Sequence, residues 1–550
     1  MTTQPVAEQI ARLLAAEGHD TIFGLLGSGN FVFTDAFARD FGGRFVWVRH
    51  ESAAVAAAAT YAQVTGRLGI ASVHQGPGVT NTLTTLTHAV RERQPVLLLA
   101  GETGRGLQVN QTIDLAAFAA AAGARVHRVL RSEDAISVIS RAMAEAQKFR
   151  IPVVVGIPTD VQVEEIEWTE PPPPASPNTP LSRPASADIE AAADIIQASK
   201  RPFILAGRGA VLAEARNEIE ALGERIGALY GTSLVANGFF VGNERSVGVC
   251  GGFSSEVVPR IVPEADVVIA FGATINQWTA MHGTLIDRSK VIQIDTEEGA
   301  LGVNGPVRLG LIGDAARTAA ALLHELERRG YESEGFRGSD ELKELQGFVA
   351  ADEFGPVEAE GVIDPRSLVV ELDRLLPLER TVTYDSGHHH WWPTAFIRVP
   401  DAQGFVAAQG FQSVGVALGV ALGSAVARPD RVSVVFIGDG GTLMQLGELD
   451  ALTAQRRDAI VVVYNDGAYG AEVHHFQPMG FETEHVTFGT RDIAGIASAF
   501  GASSAVVRSV SDIGEALSAW EEAGRGTLLL DCRVNPAVRS ERLQEAFRAH

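Results

Sequence analysis

The sequence is poor in cysteine and in positive charge. Only Cys250 and Cys532 are present, far apart in the chain, which excludes a disulfide framework and a cysteine-based zinc cluster. Lys and Arg number 45 against 67 Asp and Glu, which gives a formal net charge of -22. So acidic a chain argues against a nucleic acid or an anionic membrane as the partner.

Long apolar runs are also missing. None reaches the roughly 20 residues that a membrane-spanning helix needs. The first residues, MTTQPVAEQIARLL, lack the basic stretch and apolar core of a secretion signal. The rest of the composition is ordinary for a globular protein, with 46% hydrophobic and 20% charged residues. We therefore predict a soluble cytoplasmic protein whose partners are small molecules, neither a membrane nor a nucleic acid.

The distribution of proline divides the chain. At roughly 100–200 residues per domain, 550 residues suggest about three domains. Seven of the 24 prolines lie between Pro171 and Pro184, a segment that can form neither a helix interior nor a central strand. A second boundary precedes the helix start at Asp364-Pro365. The predicted units are residues 1–168, a linker at 169–186, 187–347, a linker at 348–362, and 363–550.

Within each unit, short β-branched runs alternate with longer Ala- and Leu-rich amphipathic runs. IPVVVGIP, RPFILAG and VSVVFIG are examples of the short runs. This alternation is typical of parallel sheets with helices on both faces. We predict the α/β class, with three doubly wound parallel-sheet domains. Ligands bind such sheets at the carboxyl ends of the strands, so the polar turns after these runs are candidate sites.

Two of those turns carry residues suited to a metal and a diphosphate. The run VSVVFI leads into GDGG at 438–441, and IVVVY leads into NDG at 465–467. A right-handed crossover between parallel strands brings Asp439 and Asn465 to one sheet edge. Mg²⁺ takes few protein oxygens and completes its shell with phosphates, while glycine lets the backbone approach them. Either turn alone would more often be a simple strand end, but the pair is more specific.

The segment from Gly438 to Gly467 resembles the thiamine diphosphate motif of the superfamily that includes acetohydroxyacid synthase, benzoylformate decarboxylase and 2-hydroxyacyl-CoA lyase. That motif usually ends in Asn-Asn, and Tyr464 replaces the first Asn here. The resemblance implies thiamine diphosphate and Mg²⁺ as cofactors, and pyrimidine-binding, central and diphosphate-binding domains in that order. The motif residues implied to bind them are Gly438, Asp439, Gly440, Gly441, Asn465 and Gly467. Of these, Asp439, Asn465 and the Gly467 carbonyl correspond to the metal ligands.

A second segment supplies a candidate catalytic carboxylate. VRHESAAVAAAATYAQVTG places Glu51 at the start of an Ala-rich helix. It resembles the family segment whose glutamate lies against the aminopyrimidine ring, which implies that Glu51 exchanges protons with the cofactor. The alternative is a carboxylate that only stabilises the helix N-terminus.

Two further segments resemble cofactor loops. GFQSVGVALGVALG matches the family stretch that bends the cofactor, which implies Val414 as the supporting side chain and the Gly410 and Gln412 carbonyls as acceptors for the aminopyrimidine. YDSGHHHWW resembles the diphosphate loop Asp-x-Gly-x-x-x-x-Trp, which implies His388 and His390 as cofactor contacts. Three adjacent histidines also suggest a metal site, but adjacent residues do not share one helix face.

Three residues are candidates for the substrate side. Ser28, in the turn after TIFGLL, corresponds to a substrate-facing position in many relatives. His74 resembles the active-site histidine of benzoylformate decarboxylase, which implies a proton relay to the substrate; a structural core histidine is the alternative. Gln111 matches a glutamine that acetohydroxyacid synthases and benzaldehyde lyase place near the reacting carbon. His474 and His475, just past the metal loop, are expected to line the cavity, and no long C-terminal lid is expected.

The favoured function is decarboxylation of a 2-oxo acid with transfer of the acyl unit, as in acetolactate-forming enzymes. The alternatives are a 2-hydroxyacyl-CoA lyase acting on acyl-CoA and aldehyde substrates, and a non-catalytic nucleotide-binding relative. The paired histidines of pyruvate decarboxylase are absent around 110–114. The resemblance also implies a homodimer or homotetramer in which Glu51 of one subunit meets Asp439 of another. The segment with Asp295 corresponds to the place where relatives bind FAD or ADP, which implies a candidate nucleotide site in the central domain. The glycine pattern Gly207-Arg208-Gly209 is too weak to decide whether one is bound.

Overall fold

The computed structural model describes residues 3–168, 170 and 182–547. The predicted linker at 169–186 therefore lies largely outside the described residues. Three six-stranded parallel sheets form the described chain, which confirms the predicted α/β class. Within the described ranges, no helix is long and apolar enough to cross a membrane.

The N-terminal sheet and its helices occupy residues 3–167. Its strands are β1 Thr3–Pro5, β2 Thr21–Gly24, β3 Arg44–Trp47, β4 Gly69–Val73, β5 Val96–Glu102, β6 Arg125–Arg128, β7 Val153–Pro158 and β8 Glu165–Glu167. Its helices are α1 Val6–Ala16, α2 Phe31–Phe41, α3 Glu51–Thr65, α4 Pro77–Thr80, α5 Leu83–Arg91, α6 Leu115–Ala122, α7 Ala135–Phe149 and α8 Thr159–Gln162. The sheet has the order β3-β2-β4-β5-β7-β6, and β1 pairs separately with β8.

The central sheet follows the proline-rich segment. Its strands are β9 Pro202–Ala206, β10 Leu229–Thr232, β11 Ser246–Val249, β12 Val267–Phe271, β13 Lys290–Asp295 and β14 Leu309–Ile312. Its helices are α9 Ser186–Gln197, α10 Arg208–Leu212, α11 Arg216–Ile226, α12 Val258–Ile261, α13 Gln277–Ala280, α14 Ala315–Arg328 and α15 Asp340–Gly347. The order is β11-β10-β9-β12-β13-β14, so the chain reverses direction across the sheet between β9 and β12.

The C-terminal sheet carries the metal motif. Its strands are β15 Arg380–Tyr384, β16 Phe405–Ala407, β17 Val432–Gly438, β18 Ala459–Tyr464, β19 Ser503–Val507 and β20 Thr527–Cys532. Its helices are α16 Pro365–Leu375, α17 Trp391–Phe396, α18 Ala417–Ala427, α19 Asp439–Met444, α20 Leu446–Ala454, α21 Gly470–Phe476, α22 Ile493–Ala499, α23 Val510–Glu522 and α24 Glu541–Phe547. The order is β16-β15-β17-β18-β20-β19.

The first and third sheets share one strand order, and the central sheet has another. Numbered within its own sheet, each outer sheet reads 2-1-3-4-6-5, whereas the central sheet reads 3-2-1-4-5-6. All three are wound in both directions from an inner strand, which leaves a crevice at the carboxyl ends of the strands.

Helices α3 and α18 join the first sheet to the third through small residues. A β-carbon built on Gly423 would lie 2.4 Å from the Ala57 carbonyl oxygen, and one on Gly419 would lie 3.0 Å from the Ala53 Cα. The two helix backbones can approach this closely only because neither glycine has a side chain. The resulting core includes residues of both sheets, so the start of α3, where Glu51 lies, is held by the C-terminal domain.

Candidate active site

The two predicted metal turns lie at the ends of neighbouring strands. β17 and β18 are parallel, with Gly438 in register with Tyr464, so Asp439 and Asn465 both emerge one residue later at the same edge. The Gly467 N–H donates to Asp439 Oδ2 at 2.8 Å, which ties the second turn to the first. The crossover helices α19 and α20 connect the strands, as the sequence pattern predicts.

Asp439 is a buried carboxylate with few donors. Only 1% of the residue is exposed, and its Oδ1 accepts the Gly440 N–H at 2.7 Å. Burial raises the pKa of Asp439 to about 7, and the nearby Asp466 carboxylate contributes to the rise. Burial also raises the pKa of Asp466 to about 6. Two carboxylates buried together in this way require a cation to be fully ionised.

Asn465 has an acceptor without a partner. Its Nδ2 donates to Asp531 Oδ1 at 2.7 Å and to the Arg491 carbonyl at 2.9 Å. Its Oδ1 is buried and has no hydrogen-bond partner among the described residues. A buried carbonyl oxygen left unpaired is unfavourable unless a ligand occupies it. Asn465 therefore fits the role of a neutral oxygen ligand to a cation.

Unlike Asn465 Oδ1, the Gly467 carbonyl oxygen already has hydrogen-bond partners. It accepts the backbone N–H groups of Phe488 and Gly489, both at 2.8 Å. A metal at this oxygen would compete with those two hydrogen bonds. Metal ligation by Gly467 therefore remains a prediction, and it requires residues 488–489 to shift.

A cavity of about 240 Å³ opens beside these turns. Its lining residues all come from the C-terminal domain, between Pro365 and Val538. They include half of the predicted cofactor residues and several others that the sequence did not indicate. The lining residues used in this account are His388, His389, Val414, Gly438, Asp439, Gly440, Gly441, Asp466, Tyr469 and His474.

The three adjacent histidines point in different directions. His388 and His389 line the cavity, and the ring of His388 lies 4.4 Å from that of His474. His390 lies behind the wall, because its ring stacks on Tyr384 and its Nδ1 accepts the Gly387 N–H. The position of His390 thus gives no support to the expectation that it contacts the cofactor, and His389 lines the cavity instead. His475 is likewise outside the lining and packs on Phe476.

Asp385 fixes the segment that contains Val414. This fully buried carboxylate follows β15, and its Oδ2 accepts the N–H groups of Gly415, Val416 and Ala417 at the start of α18. A β-carbon on Gly441 would lie 3.5 Å from the Val414 side chain. Val414 therefore lies against the predicted metal turn, and its role as the cofactor support stays a prediction.

Gly410 and Gln412 lie in the wall of a second cavity, of about 630 Å³, between the C-terminal and central domains. Glu92 packs on the backbone of Gly410, since a β-carbon there would be 2.6 Å from the Glu92 Cγ. Glu92 is buried and forms an ion pair with Arg208 of the central domain. Three domains thus meet at the loop predicted to hold the aminopyrimidine.

The predicted substrate-side residues cluster at the edge of the N-terminal sheet. The Gly29 N–H donates to His74 Nδ1 at 3.0 Å, so His74 carries its proton on Nε2, which lies 3.2 Å from Gln111 Oε1. Ser28 is exposed in the same turn as Gly29. A β-carbon on Gly78 would lie 3.3 Å from both Glu51 Oε1 and His74 Cβ, which places both side chains next to Gly78.

Glu51 begins α3, and two sets of polar contacts hold it there. Its Oε2 accepts a hydrogen bond from Asn81 Nδ2 at 2.9 Å. The two residues before it donate their N–H groups to Glu448 Oε1, His50 at 2.7 Å and Arg49 at 3.0 Å. Glu448 belongs to α20 and is 1% exposed, and burial raises its pKa to about 7. The crossover helices after Asp439 therefore position the residues that lead into Glu51.

The candidate nucleotide turn of the central sheet is closed. The N–H groups of Gly207 and Gly209 donate to the carbonyls of Phe271 and Gly272, and both glycines pack against Gly272. Asp295 ends β13 and accepts the Glu297 N–H. Glycines that bind a phosphate need free N–H groups, so these residues do not form an open cradle for FAD or ADP.

Comparisons with known proteins agree with this arrangement. Models of the thiamine pyrophosphate enzymes match the chain in three places: the N-terminal TPP binding domain at residues 4–120, the central domain at 189–322 and the C-terminal TPP binding domain at 385–532. The chain therefore belongs to the thiamine pyrophosphate enzyme family, whose cofactor is the thiamine diphosphate that the motif implied.

Individual relatives are similar over most of their length. A sulfoacetaldehyde acetyltransferase of Alcaligenes xylosoxydans is 29% identical over 93% of this chain and 89% of its own. The acetolactate synthase large subunit of Parasynechococcus marenigrum is 28% identical over 89% of this chain and 81% of its own. A probable acetolactate synthase large subunit of Methanocaldococcus jannaschii is 28% identical over 96% and 92%.

The sequence did not reveal four residues that the structure brings to the site. Asp466 and His389 adjoin residues that the motifs did indicate, so proximity alone could have suggested them. Asp531 and Glu448 contact the site from distant positions in the chain. For Asp531 a signal did exist, because it interrupts the apolar run TLLLDC of a buried strand, where a charge needs a specific partner.

Proposed function

We propose that this chain is a thiamine diphosphate- and Mg²⁺-dependent enzyme that cleaves a 2-oxo acid and transfers its acyl unit to an acceptor. One observation carries the proposal. Asp439 and the unpaired Oδ1 of Asn465 lie at the ends of adjacent strands, beside a glycine-rich turn. A hard cation that bridges a diphosphate needs this donor set.

The bound cofactor would supply the nucleophilic carbon and the electron sink for breaking a bond next to a carbonyl. The chain binds and orients it. Asp439 and Asn465 would hold the cation, and His388 and His389 line the cavity that would take the diphosphate end. Val414 would support the cofactor from beside the glycine-rich turn, and the Gly410 and Gln412 carbonyls would accept hydrogen bonds from its amino group.

Glu51 and His74 would move protons. Glu51, held at the start of α3, would supply the carboxylate that exchanges a proton with the aminopyrimidine ring. His74 presents an Nε2–H that is shared with Gln111, and this pair would serve the substrate, with Ser28 nearby. The protein's contribution is therefore to hold a carboxylate and an imidazole next to each other at the edge of the N-terminal sheet.

The two halves of this site come from different copies of the chain in our proposal. The cavity beside Asp439 is lined by residues of the C-terminal domain, whereas Glu51 and His74 lie in the N-terminal domain. Exposed apolar side chains occur in both domains, including Phe31 and Leu107 in the N-terminal one and Met444 and Phe481 in the C-terminal one. Such surfaces favour a homodimer, or a homotetramer built from two dimers.

The cofactors and the compartment of the protein are the remaining parts of the proposal. The closed turn at Gly207–Gly209 argues against FAD or ADP, so we propose thiamine diphosphate and Mg²⁺ as the cofactors. The two cysteines are free and buried, in keeping with a reducing compartment such as the cytoplasm.

A substrate panel tests the reaction. The purified protein, with and without thiamine diphosphate and Mg²⁺, is incubated with several 2-oxo acids, with sulfoacetaldehyde and with a 2-hydroxyacyl-CoA. We expect cofactor-dependent release of CO₂ from a 2-oxo acid. Consumption of sulfoacetaldehyde without CO₂ would favour the activity named for the first relative. Release of an aldehyde from the CoA ester would favour a lyase, and no turnover of any compound would contradict an enzymatic role.

A further inference from the structure

The carboxylate of Asp531 contacts the side-chain amide of Asn465 and limits the orientation of that amide. The amide of an asparagine has one donor end and one acceptor end, and only the acceptor end can bind a cation. The Nδ2 of Asn465 lies between two acceptors, Asp531 Oδ1 at 2.7 Å and the Arg491 carbonyl at 2.9 Å. Turning the amide over would place Oδ1 against both. These contacts therefore leave Oδ1 as the free end.

The sheet explains why Asp531 reaches Asn465. β20 lies next to β18, with Asp531 in register with Val463. Side chains two residues apart on a strand point to the same face, so a residue paired with position 463 lies on the face that position 465 also uses. Asp531 is fully buried near the carboxyl end of β20.

The other oxygen of Asp531 is fixed by three donors. Oδ2 accepts the Ile493 N–H at 3.2 Å, the Ala494 N–H at 3.3 Å and Arg533 Nη2 at 2.8 Å. The ion pair with Arg533 compensates the burial of the charge. The carboxylate therefore cannot rotate away, and its Oδ1 stays directed at Asn465.

We propose that Asp531 is a positioning residue for the metal site, which holds the Asn465 amide with its Oδ1 toward the cation. The inference rests on the proposed function, because it assumes that Asn465 binds Mg²⁺. Asp531 itself does not touch the metal in this account and acts only through Asn465. Outer residues that orient metal ligands typically affect metal affinity by roughly 10–100-fold.

The substitution Asp531→Asn tests this with almost no change in shape. The introduced side chain would turn its carbonyl oxygen toward the three donors at Ile493, Ala494 and Arg533, and its amide nitrogen would then face the Asn465 nitrogen. Two donors cannot pair, so the Asn465 amide would turn over or shift. Either response removes Oδ1 from the cation.

Adding Asn465→Asp to this variant reverses the hydrogen bond. The amide introduced at position 531 would donate to one oxygen of the carboxylate introduced at position 465, and the other carboxylate oxygen would remain for the metal. The Arg491 carbonyl keeps a donor in Arg533 Nη2, at 3.0 Å. The double variant should therefore bind Mg²⁺ more tightly than Asp531→Asn, although not necessarily as tightly as the wild type.

The measurement is the affinity for Mg²⁺ at saturating thiamine diphosphate, by calorimetric titration of the full-length chain, together with the melting temperature of the metal-free protein. Asp492→Asn is the matched control, because Asp492 caps α22 through Gly495 and is exposed. We expect a roughly 10–100-fold loss for Asp531→Asn, wild-type affinity for the control, and partial recovery in the double variant.

Three results would overturn the inference. The first is wild-type Mg²⁺ affinity in Asp531→Asn. The second is a loss that the double variant does not recover, because Asp531 would then be only structural. If Asp531→Asn does not fold, the double variant is compared with Asn465→Asp alone, and equal affinity of the two would overturn it. Failure of the wild type to bind Mg²⁺ with thiamine diphosphate would instead contradict the proposed function.

Discussion

His74 is the residue for which a catalytic role and a structural role compete most directly. It accepts the N–H of a buried glycine through Nδ1 and contacts Gln111 through Nε2. The first contact is what a structural histidine would make, whereas the second directs a titratable N–H toward the predicted reacting side. Both roles are compatible with this geometry, so a test must measure stability and chemistry separately.

We expect His74→Ala to slow single turnover by roughly 10²–10⁴-fold, the range for a lost general acid or base. It should also lower stability, because the Gly29 N–H would lose its acceptor, an effect of about 1–3 kcal/mol. His74→Asn is the matched variant, since an Asn Oδ1 can accept from Gly29 but cannot titrate. Melting temperature and single-turnover rate are measured for both.

The catalytic role predicts that His74→Asn recovers stability but remains slow. A variant that recovers both would show that His74 only supports the turn at residues 27–30. The proton relay would then have to be sought at Gln111 or His474.

At the scale of elements, the contact between α3 and α18 determines where Glu51 lies. We expect Gly423→Ala to destabilise the protein by about 1–3 kcal/mol, as overpacking does, because its Cβ would lie 2.4 Å from the Ala57 carbonyl oxygen. Thermal denaturation measures the effect.

Gly514→Ala in α23 is the matched control for this change. Its nearest neighbour is Leu375 Cδ1 at 4.0 Å, so replacing a helical glycine there should stabilise the protein by up to about 1 kcal/mol. Equal effects of the two substitutions would show that close packing of α3 on α18 is not important.

The junction between α20 and the start of α3 also predicts a pH dependence. Burial raises the pKa of Glu448 from 4.5 to about 7. Between these values the folded state binds more protons than the unfolded state, so stability falls as the pH rises. Glu448→Gln retains an acceptor for Arg49 and His50 but cannot ionise. Relative to wild type, its stability should therefore increase by up to about 3 kcal/mol between pH 4.5 and 7.

The melting temperatures of wild type and Glu448→Gln, measured from about pH 4.5 to about pH 8 across that titration range, check this expectation. Other groups titrate in both proteins, so the difference between the two curves is the relevant quantity. A difference that does not change with pH would show that Glu448 titrates normally.

The sequence could predict features that depend on neighbouring residues, but not contacts between residues far apart in the chain. The strands before Asp439 and Asn465 are local apolar runs that end in glycine-rich turns, so they and their convergence could be predicted. The contact of Asn465 with Asp531 spans 66 residues, and that of His50 with Glu448 spans 398. No local pattern encodes such pairs. The position of His390 could not be predicted, because three adjacent histidines give no information about which of them face the cavity.

For the whole molecule, the central claim is that each active site takes Glu51 from one chain and Asp439 from another. Within one chain, the cavity beside Asp439 is lined by the C-terminal domain alone, and the cluster at Glu51 lies at the edge of the N-terminal sheet. Two variants separate the halves. Glu51→Gln should bind the cofactor without turning over, and Asp439→Ala should lose the metal-dependent binding of the cofactor.

Co-expression of these two inactive variants tests the claim most directly. If sites form between chains, a mixed dimer has one site with both defects and one with neither. Random pairing makes half of the dimers mixed, so we expect about one quarter of wild-type activity for the isologous arrangement of a two-fold dimer. If each site forms within one chain, every site keeps a defect, and activity no higher than that of the separate variants would contradict the account.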